Sequence, residues 1–170
     1  AAGSFSGAAN VCEGTSSVSY SIPTIANATG YVWAYSGTGA TISGGTTENI
    51  TIDFASNASS GDLTVYGTNA NGCGNGASST LTITVSANPA AAGNISGTAT
   101  VCQGATSVSY SVPTIANATS YTWAYTGTGA TISGSTENIT IDFAANAISG
   151  DLTVIGTNSG CGDGAVSANY

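Results

Sequence analysis

The chain has 170 residues, eight carboxylates and no Lys, Arg, His or Met, which gives a formal charge of -8. Without cations it lacks the means to hold DNA, RNA, phosphate groups or anionic lipid. Without His or Lys it has no base to activate a serine or cysteine nucleophile. Without cations no nucleic-acid partner is expected, and without a run of about 20 apolar residues no membrane insertion is expected. The opening "AAGSFSG" has neither the basic nor the apolar region of a signal peptide, so any such segment is expected to have been removed.

In chain order, the apolar pattern has period two, the mark of half-buried strands. Val18, Tyr20 and Ile22 alternate first, followed by Tyr31, Trp33 and Tyr35. Ile50, Ile52 and Phe54 come next, with Asn49, Thr51 and Asp53 on the opposite face. Leu63 and Val65 follow, and Leu81, Ile83 and Val85 close the set. Between these runs lie the turn sequences "SGTG" at 36–39, "SGG" at 43–45 and "SSGD" at 59–62. No stretch has helical periodicity. Short strands separated by turns, with a Trp on the third strand, predict an immunoglobulin-like β-sandwich.

The whole pattern then recurs. "VCEGTSSVSYSIPTIANATGYVWAYSGTGATISG" at 11–44 matches "VCQGATSVSYSVPTIANATSYTWAYTGTGATISG" at 101–134. "TENITIDFASNASSGDLTVYGTN" at 47–69 matches "TENITIDFAANAISGDLTVIGTN" at 136–158. A unit this long carries its own small core, so the expectation is two tandem domains: residues 1–86, a linker 87–93 around Pro89, and residues 94–170. The four cysteines allow three pairings. The repeat favours Cys12–Cys73 and Cys102–Cys161, because each copy then closes on itself. Each such bond is worth roughly 4 kcal/mol in the chain-entropy model and suits an oxidising, extracellular setting.

The motif "VCxGxxSVSYSxPTIANATxYxWAYxGTGATISG", followed by "ENITIDF", "SGDLTV" and "GTN…GCGxG", resembles the PKD-like, immunoglobulin-fold repeats of secreted and surface proteins of Bacteroidetes-type bacteria. The resemblance covers nearly the whole chain, twice. It implies a spacer, a stalk, an adhesin segment or an accessory domain beside an enzyme. In place of the "WxFGDG" of the better-known PKD domains, the chain has "WAYSGTGATI" at 33–42.

The chemistry left to test is sparse. Asp53 with Asp62, repeated as Asp142 with Asp151, is the one carboxylate arrangement open to acid–base hydrolysis. The structural reading makes Asp53 an outward strand residue and Asp62 the end of a turn, so no enzyme is expected. No metal site and no cofactor are expected; oxygen-rich loops leave a structural calcium as the alternative, but no D-x-D-x-D-G pattern occurs. Two Cys per copy without His or CxxC spacing do not read as zinc. Sequons mark Asn27, Asn49, Asn57, Asn94, Asn117 and Asn138 as candidate glycosylation sites. Tyr31, Trp33 and Tyr35 share a face and read as core rather than as a sugar-stacking platform. Tyr66 faces away from the core, but Ile155 stands there in the second copy.

The second copy reads "GCGDGAVSANY" to Tyr170, where the first runs on through "LTITVSANPA". The expected fold is therefore all-β: two tandem immunoglobulin-like (PKD-like) antiparallel sandwiches, the second lacking its last strand. The gap has three readings: more of a tandem array, a strand donated by a neighbour in a head-to-tail fibre, or a tolerated open edge. Completion from outside these residues is expected, by copies of the chain itself or by further repeats. With 41% hydrophobic and 5% charged residues against the roughly 25–35% charge of ordinary surfaces, the chain suits packing against neighbours or a coat of glycans. A structural module of an extracellular filament, stalk or surface protein is the expectation. The alternative is an adhesin or carbohydrate-binding accessory module.

Overall fold

The computed structural model describes residues 2–70 and 74–170, and the chain divides into two compact units, Ala1–Ala87 and Asn88–Tyr170. Every element among the described residues is a strand. The first unit contains β1 (Asn10–Cys12), β2 (Val18–Ser21), β3 (Gly30–Tyr35), β4 (Ala40–Ser43), β5 (Asn49–Phe54), β6 (Gly61–Thr68) and β7 (Ser79–Ser86). They form one sheet in the order β1-β7-β6-β3 and a second in the order β2-β5-β4. Alternation puts Tyr20, Ile50, Ile52 and Phe54 of one sheet into a common core with Trp33, Leu63, Val65 and Ile83 of the other. This is the immunoglobulin-like sandwich that the period-two runs predict.

The second unit repeats the plan with β8 (Ser96–Gly97), β9 (Val108–Ser111), β10 (Ser120–Tyr125), β11 (Ala130–Ser133), β12 (Asn138–Phe143), β13 (Leu152–Asn158) and β14 (Gly162–Asp163). Its sheets run β11-β12-β9-β8 and β10-β13-β14. Registers match between copies: Trp33 lies opposite Val65, and Trp123 opposite Val154. Within the expected linker 87–93, Pro89 is buried, and the Ala90 and Ala92 amides donate to Ala116 and Ala165 of the second unit.

The copies diverge at one strand. In the first unit β7 lies between two partners, antiparallel to β6 with Leu63 opposite Leu81, and parallel to β1 with Val11 opposite Val85. In the second unit residues 167–170 occupy the place where that strand begins. The Ser167 amide donates to Val154 O, and Tyr170 exchanges both main-chain hydrogen bonds with Leu152. Two positions on one side thus match three on the other, a local bulge at Ala168 and Asn169. Val101 and Cys102, counterparts of Val11 and Cys12, form no strand.

Each core carries a tyrosine whose hydroxyl is tied to main chain: Tyr20 to Ala8 O at 2.9 Å and Tyr110 to Thr98 O at 3.0 Å. Burial, with a smaller contribution from Tyr35, pushes the Tyr20 hydroxyl up to about 12. Tyr110 is raised by burial first and then by Tyr170 and Tyr125. The folded state holds these protons more tightly than the unfolded chain does near pH 10. Their contribution is therefore whole below about pH 10 and is lost as pH climbs toward the folded value. The urea midpoint is expected to hold from neutrality to about pH 10 and to fall beyond it. Tyr20→Phe, which leaves Ala8 O without its donor, should cost about 1 kcal/mol at neutral pH. It should also flatten the alkaline decline of the first unit.

Candidate functional site

The carboxylates come first, because they alone could do acid–base work. Ser17 sits at φ 55 and Ser107 at φ 55, a left-handed conformation that costs a residue with a Cβ. Asp53 Oδ1 accepts the Ser17 amide at 2.6 Å, and Asp142 Oδ1 accepts the Ser107 amide at 2.6 Å. These aspartates clamp a strained turn to the outer face of the neighbouring strand. Asp62 accepts from the Thr82 hydroxyl at 2.7 Å, and Asp151 accepts from the Asn169 side chain at 3.0 Å. All four thus have structural partners, the first pair serving the same turn in both copies. Among the described residues no cluster of three His, Cys, Asp or Glu exists that could hold a metal ion.

The aromatic rings face inward. Trp33 and Trp123 are 8% and 9% exposed, and their indole nitrogens donate to Thr47 O and Thr136 O at 2.9 Å each. The Tyr31 and Tyr121 hydroxyls accept the amides of Ile25 and Ile115. Tyr35 and Tyr125 donate to Ser59 O and Ile148 O, and stack edge-on against Phe54 and Phe143. Each polar tip meets main chain, so these side chains are spent on the core.

All six sequon asparagines, Asn27, Asn49, Asn57, Asn94, Asn117 and Asn138, are exposed. Asn27 and Asn117 lie at φ 65 and φ 64, where Asn is the favoured residue after Gly. Their carbonyls accept from the Asn69 and Asn158 side chains, so backbone geometry explains their recurrence. Asn49 and Asn138 begin β5 and β12 and face outward, beside hydroxyl-lined grooves that repeat on the two units.

The cysteines require a correction. Cys12 and Cys161 are disulfide-bonded, whereas Cys102 is a free, exposed thiol. The expected Cys102–Cys161 bond is therefore not formed. Cys73 lies outside the described residues, and the Cys12–Cys73 expectation with it. The physical reason is valence: the Cys161 sulfur is engaged in another disulfide and cannot also bond Cys102.

What the structure does assemble is a groove of about 240 Å³ on the second unit, floored by Tyr110, Ile141, Phe143 and Leu152 and edged by Cys102, Ile148 and Tyr170. It is smaller than the roughly 300–1,000 Å³ clefts that take small molecules. Its walls are the counterparts of residues that cover β7 in the first unit. Phe54 is 2% exposed and Ala58 6%, but Phe143 and Ala147 are only half-buried. Val11 is 8% exposed and Val101 again half-buried. Tyr170 partly plugs the near end, its ring edge-on to Tyr110 and its hydroxyl on Gly97 O.

Two substitutions escape a reading based on strand pattern alone. Ile148 stands where the first copy has Ser59 and is 62% exposed; Val166 stands where it has Ser78 and is 54% exposed. The signal was available in the repeat: wherever two copies agree closely, a serine turned aliphatic on a turn marks a changed environment.

A family model described as a PKD-like domain matches residues 1–83 and again residues 88–170. No curated protein matches the chain. Among solved structures, the tandem Ig repeats of Dlar are 16% identical, with 94% of this chain and 90% of that one covered and a TM-score of 0.26.

Two outcomes follow from this geometry. Asp53→Ala and Asp142→Ala should each lower stability by about 1–2 kcal/mol in urea unfolding, the cost of a lost charge-assisted hydrogen bond at a strained turn. Native alkylation without reductant should label Cys102 but neither Cys12 nor Cys161, as peptide mass mapping would read directly.

Proposed function

The chain belongs to the PKD-like domain family, in two tandem copies, and from that premise we propose that it is a non-catalytic structural repeat module of an extracellular bacterial filament, stalk or surface protein. Secreted and surface proteins of Bacteroidetes-type bacteria are its proposed setting. The observation that carries the reading is the recurrence of one sandwich plan, with matching strand registers, in two tandem units. Such a pair is suited to head-to-tail polymerisation by strand complementation, with further repeats or further copies as partners.

Other features support this role without carrying it. The aspartates are engaged in holding turns and the aromatic rings in filling cores, which leaves little side-chain chemistry for a substrate. Disulfide-bonded cysteines suit an oxidising location outside the cell. Glycans on Asn49 and Asn138 would stand clear of both cores, on faces otherwise solvated only by hydroxyls and amides. No cofactor enters this reading.

The competing assignment, an adhesin or carbohydrate-binding accessory module, is separated by a glycan array and a polysaccharide pull-down with the folded chain. A structural module is expected to retain nothing above background. Saturable binding to a defined glycan would sink the structural reading in favour of the adhesin.

A further inference from the structure

We propose that Asn49 and Asn138 each carry an N-linked glycan whose first sugars lie in the hydroxyl-lined groove beside the asparagine. The proposal rests on the extracellular structural-module reading above and specifies what covers one face of each unit. Cross-strand pairing builds the groove. On the outer face of the β2-β5-β4 sheet, Ser43, Thr51 and Ser19 lie opposite one another in one row, and Asn49, Ser21 and Ser6 form the next. The second unit repeats both rows, with Ser133, Thr140 and Ser109, then Asn138, Ser111 and Ser96. Strand geometry spaces such a grid at about 4.8 Å across the strands and about 6.8 Å along them. The grooves measure about 460 Å³ and about 440 Å³, within the roughly 300–1,000 Å³ of clefts that take small molecules.

The chemistry of the lining selects a neutral, polyhydroxyl ligand. Neither groove is lined by a charged side chain, and each hydroxyl can both donate and accept. Among the described residues, none of the side chains in either grid has a hydrogen-bond partner in the protein. Hydroxyls elsewhere are engaged: Thr82 on Asp62, Thr24 on Glu48, and Thr38 with Ser59. A free sugar would gain little here, because its bonds to the groove replace bonds to water. The rings beneath offer no stacking surface either, since Tyr20 is 1% and Tyr110 6% exposed. A tethered sugar needs no such affinity, because its linkage holds it at millimolar effective concentration or above. The occupant is therefore a glycan attached at the groove's own edge.

Comparison of the six sequons singles out that edge. Asn57 and Asn94 have no counterpart sequon: Asn146 is followed by Ala147 and Ile148, and Ser4 stands in the place of Asn94. Asn27 and Asn117 recur, but their sequon threonines, Thr29 and Thr119, donate to Thr68 O and Thr157 O. The Asn117 side-chain amide is itself held on Asn88 O. Asn49 and Asn138 are exposed where a turn meets β5 and β12, and the hydroxyls of Thr51 and Thr140 are unengaged. Attachment takes a separate transferase and a sugar pyrophosphate as donor. The asparagine Nδ2 forms a bond to the anomeric carbon and loses a proton, while the bond from that carbon to the pyrophosphate oxygen breaks and the pyrophosphate leaves with the electron pair.

The test starts from the chain isolated from its natural source, cleaved at its carboxylates and mass-mapped. Sugar-sized increments are expected on the peptides holding Asn49 and Asn138; both asparagines bare would overturn the proposal. Asn49→Gln should remove the increment at that site and keep the one at Asn138. In NMR spectra of the glycosylated chain, Overhauser contacts should join the first sugar to Ser19, Ser21 and Ser43. A sugar without those contacts refutes the seating. Ser19→Ala with Ser43→Ala should keep the mass increment and lose the contacts, and unchanged contacts would show that the hydroxyls do not hold the sugar. The unmodified chain, titrated with the released glycan to about 1 mM, should show no saturable shifts. Saturable shifts at the grid would mean capture from solution, against a tethered occupant. Bare asparagines with a blank glycan array would end this proposal and leave the structural module standing, whereas array binding counts against the module whatever the mass map gives.

Discussion

The burial of Ile83 between β6 and β1 holds the first unit closed, and the differences between the two copies follow from it. A strand in that position satisfies backbone groups on both sides and seals the core from the open side. Where it is present, Val11, Phe54 and Ala58 are buried, and Cys12 ends a regular strand. In the second unit, where residues 167–170 lie beside β13, the counterparts Val101, Phe143 and Ala147 are half-buried and Cys102 is a free thiol.

The absence of cations places an unusual load on neutral hydrogen bonds. In each unit the large polar side chains of the core end on main-chain carbonyls or amides: the indole of Trp33, and the hydroxyls of Tyr20, Tyr31 and Tyr35. Carboxylates with no Lys or Arg to meet are used instead as acceptors for amides and hydroxyls, Asp53 and Asp142 most directly. Among the described residues no buried side-chain polar atom is left without a partner. A sandwich can therefore dispense with ion pairs if its turns and aromatic tips are satisfied by backbone.

Much of this was legible in the residues. Period-two runs gave the strands, and the core positions Tyr20, Trp33, Ile52 and Leu63 follow from alternation alone, because a strand with one buried face admits only one phase. The repeat gave two copies of one sandwich plan. Other features depend on contacts distant in sequence and were out of reach. Asp53 looks like any outward strand residue until the left-handed turn at Ser17 is seen above it. The repeat pairs Cys102 with Cys161 by symmetry, but symmetry between copies cannot show that the Cys161 sulfur is bonded elsewhere. Ile148 was visible as a departure from Ser59, but its meaning required the groove beside it.

The parallel pairing of β1 with β7 has a mechanical side. The first of these strands leads in from the start of the unit and the last leads out of it, lying alongside in register from Asn10 and Thr84 to Cys12 and Ser86. Tension applied through the two ends of that unit draws the strands past one another lengthwise, so their hydrogen bonds are sheared together rather than peeled one at a time. The first unit therefore carries a clamp along its own line of pull.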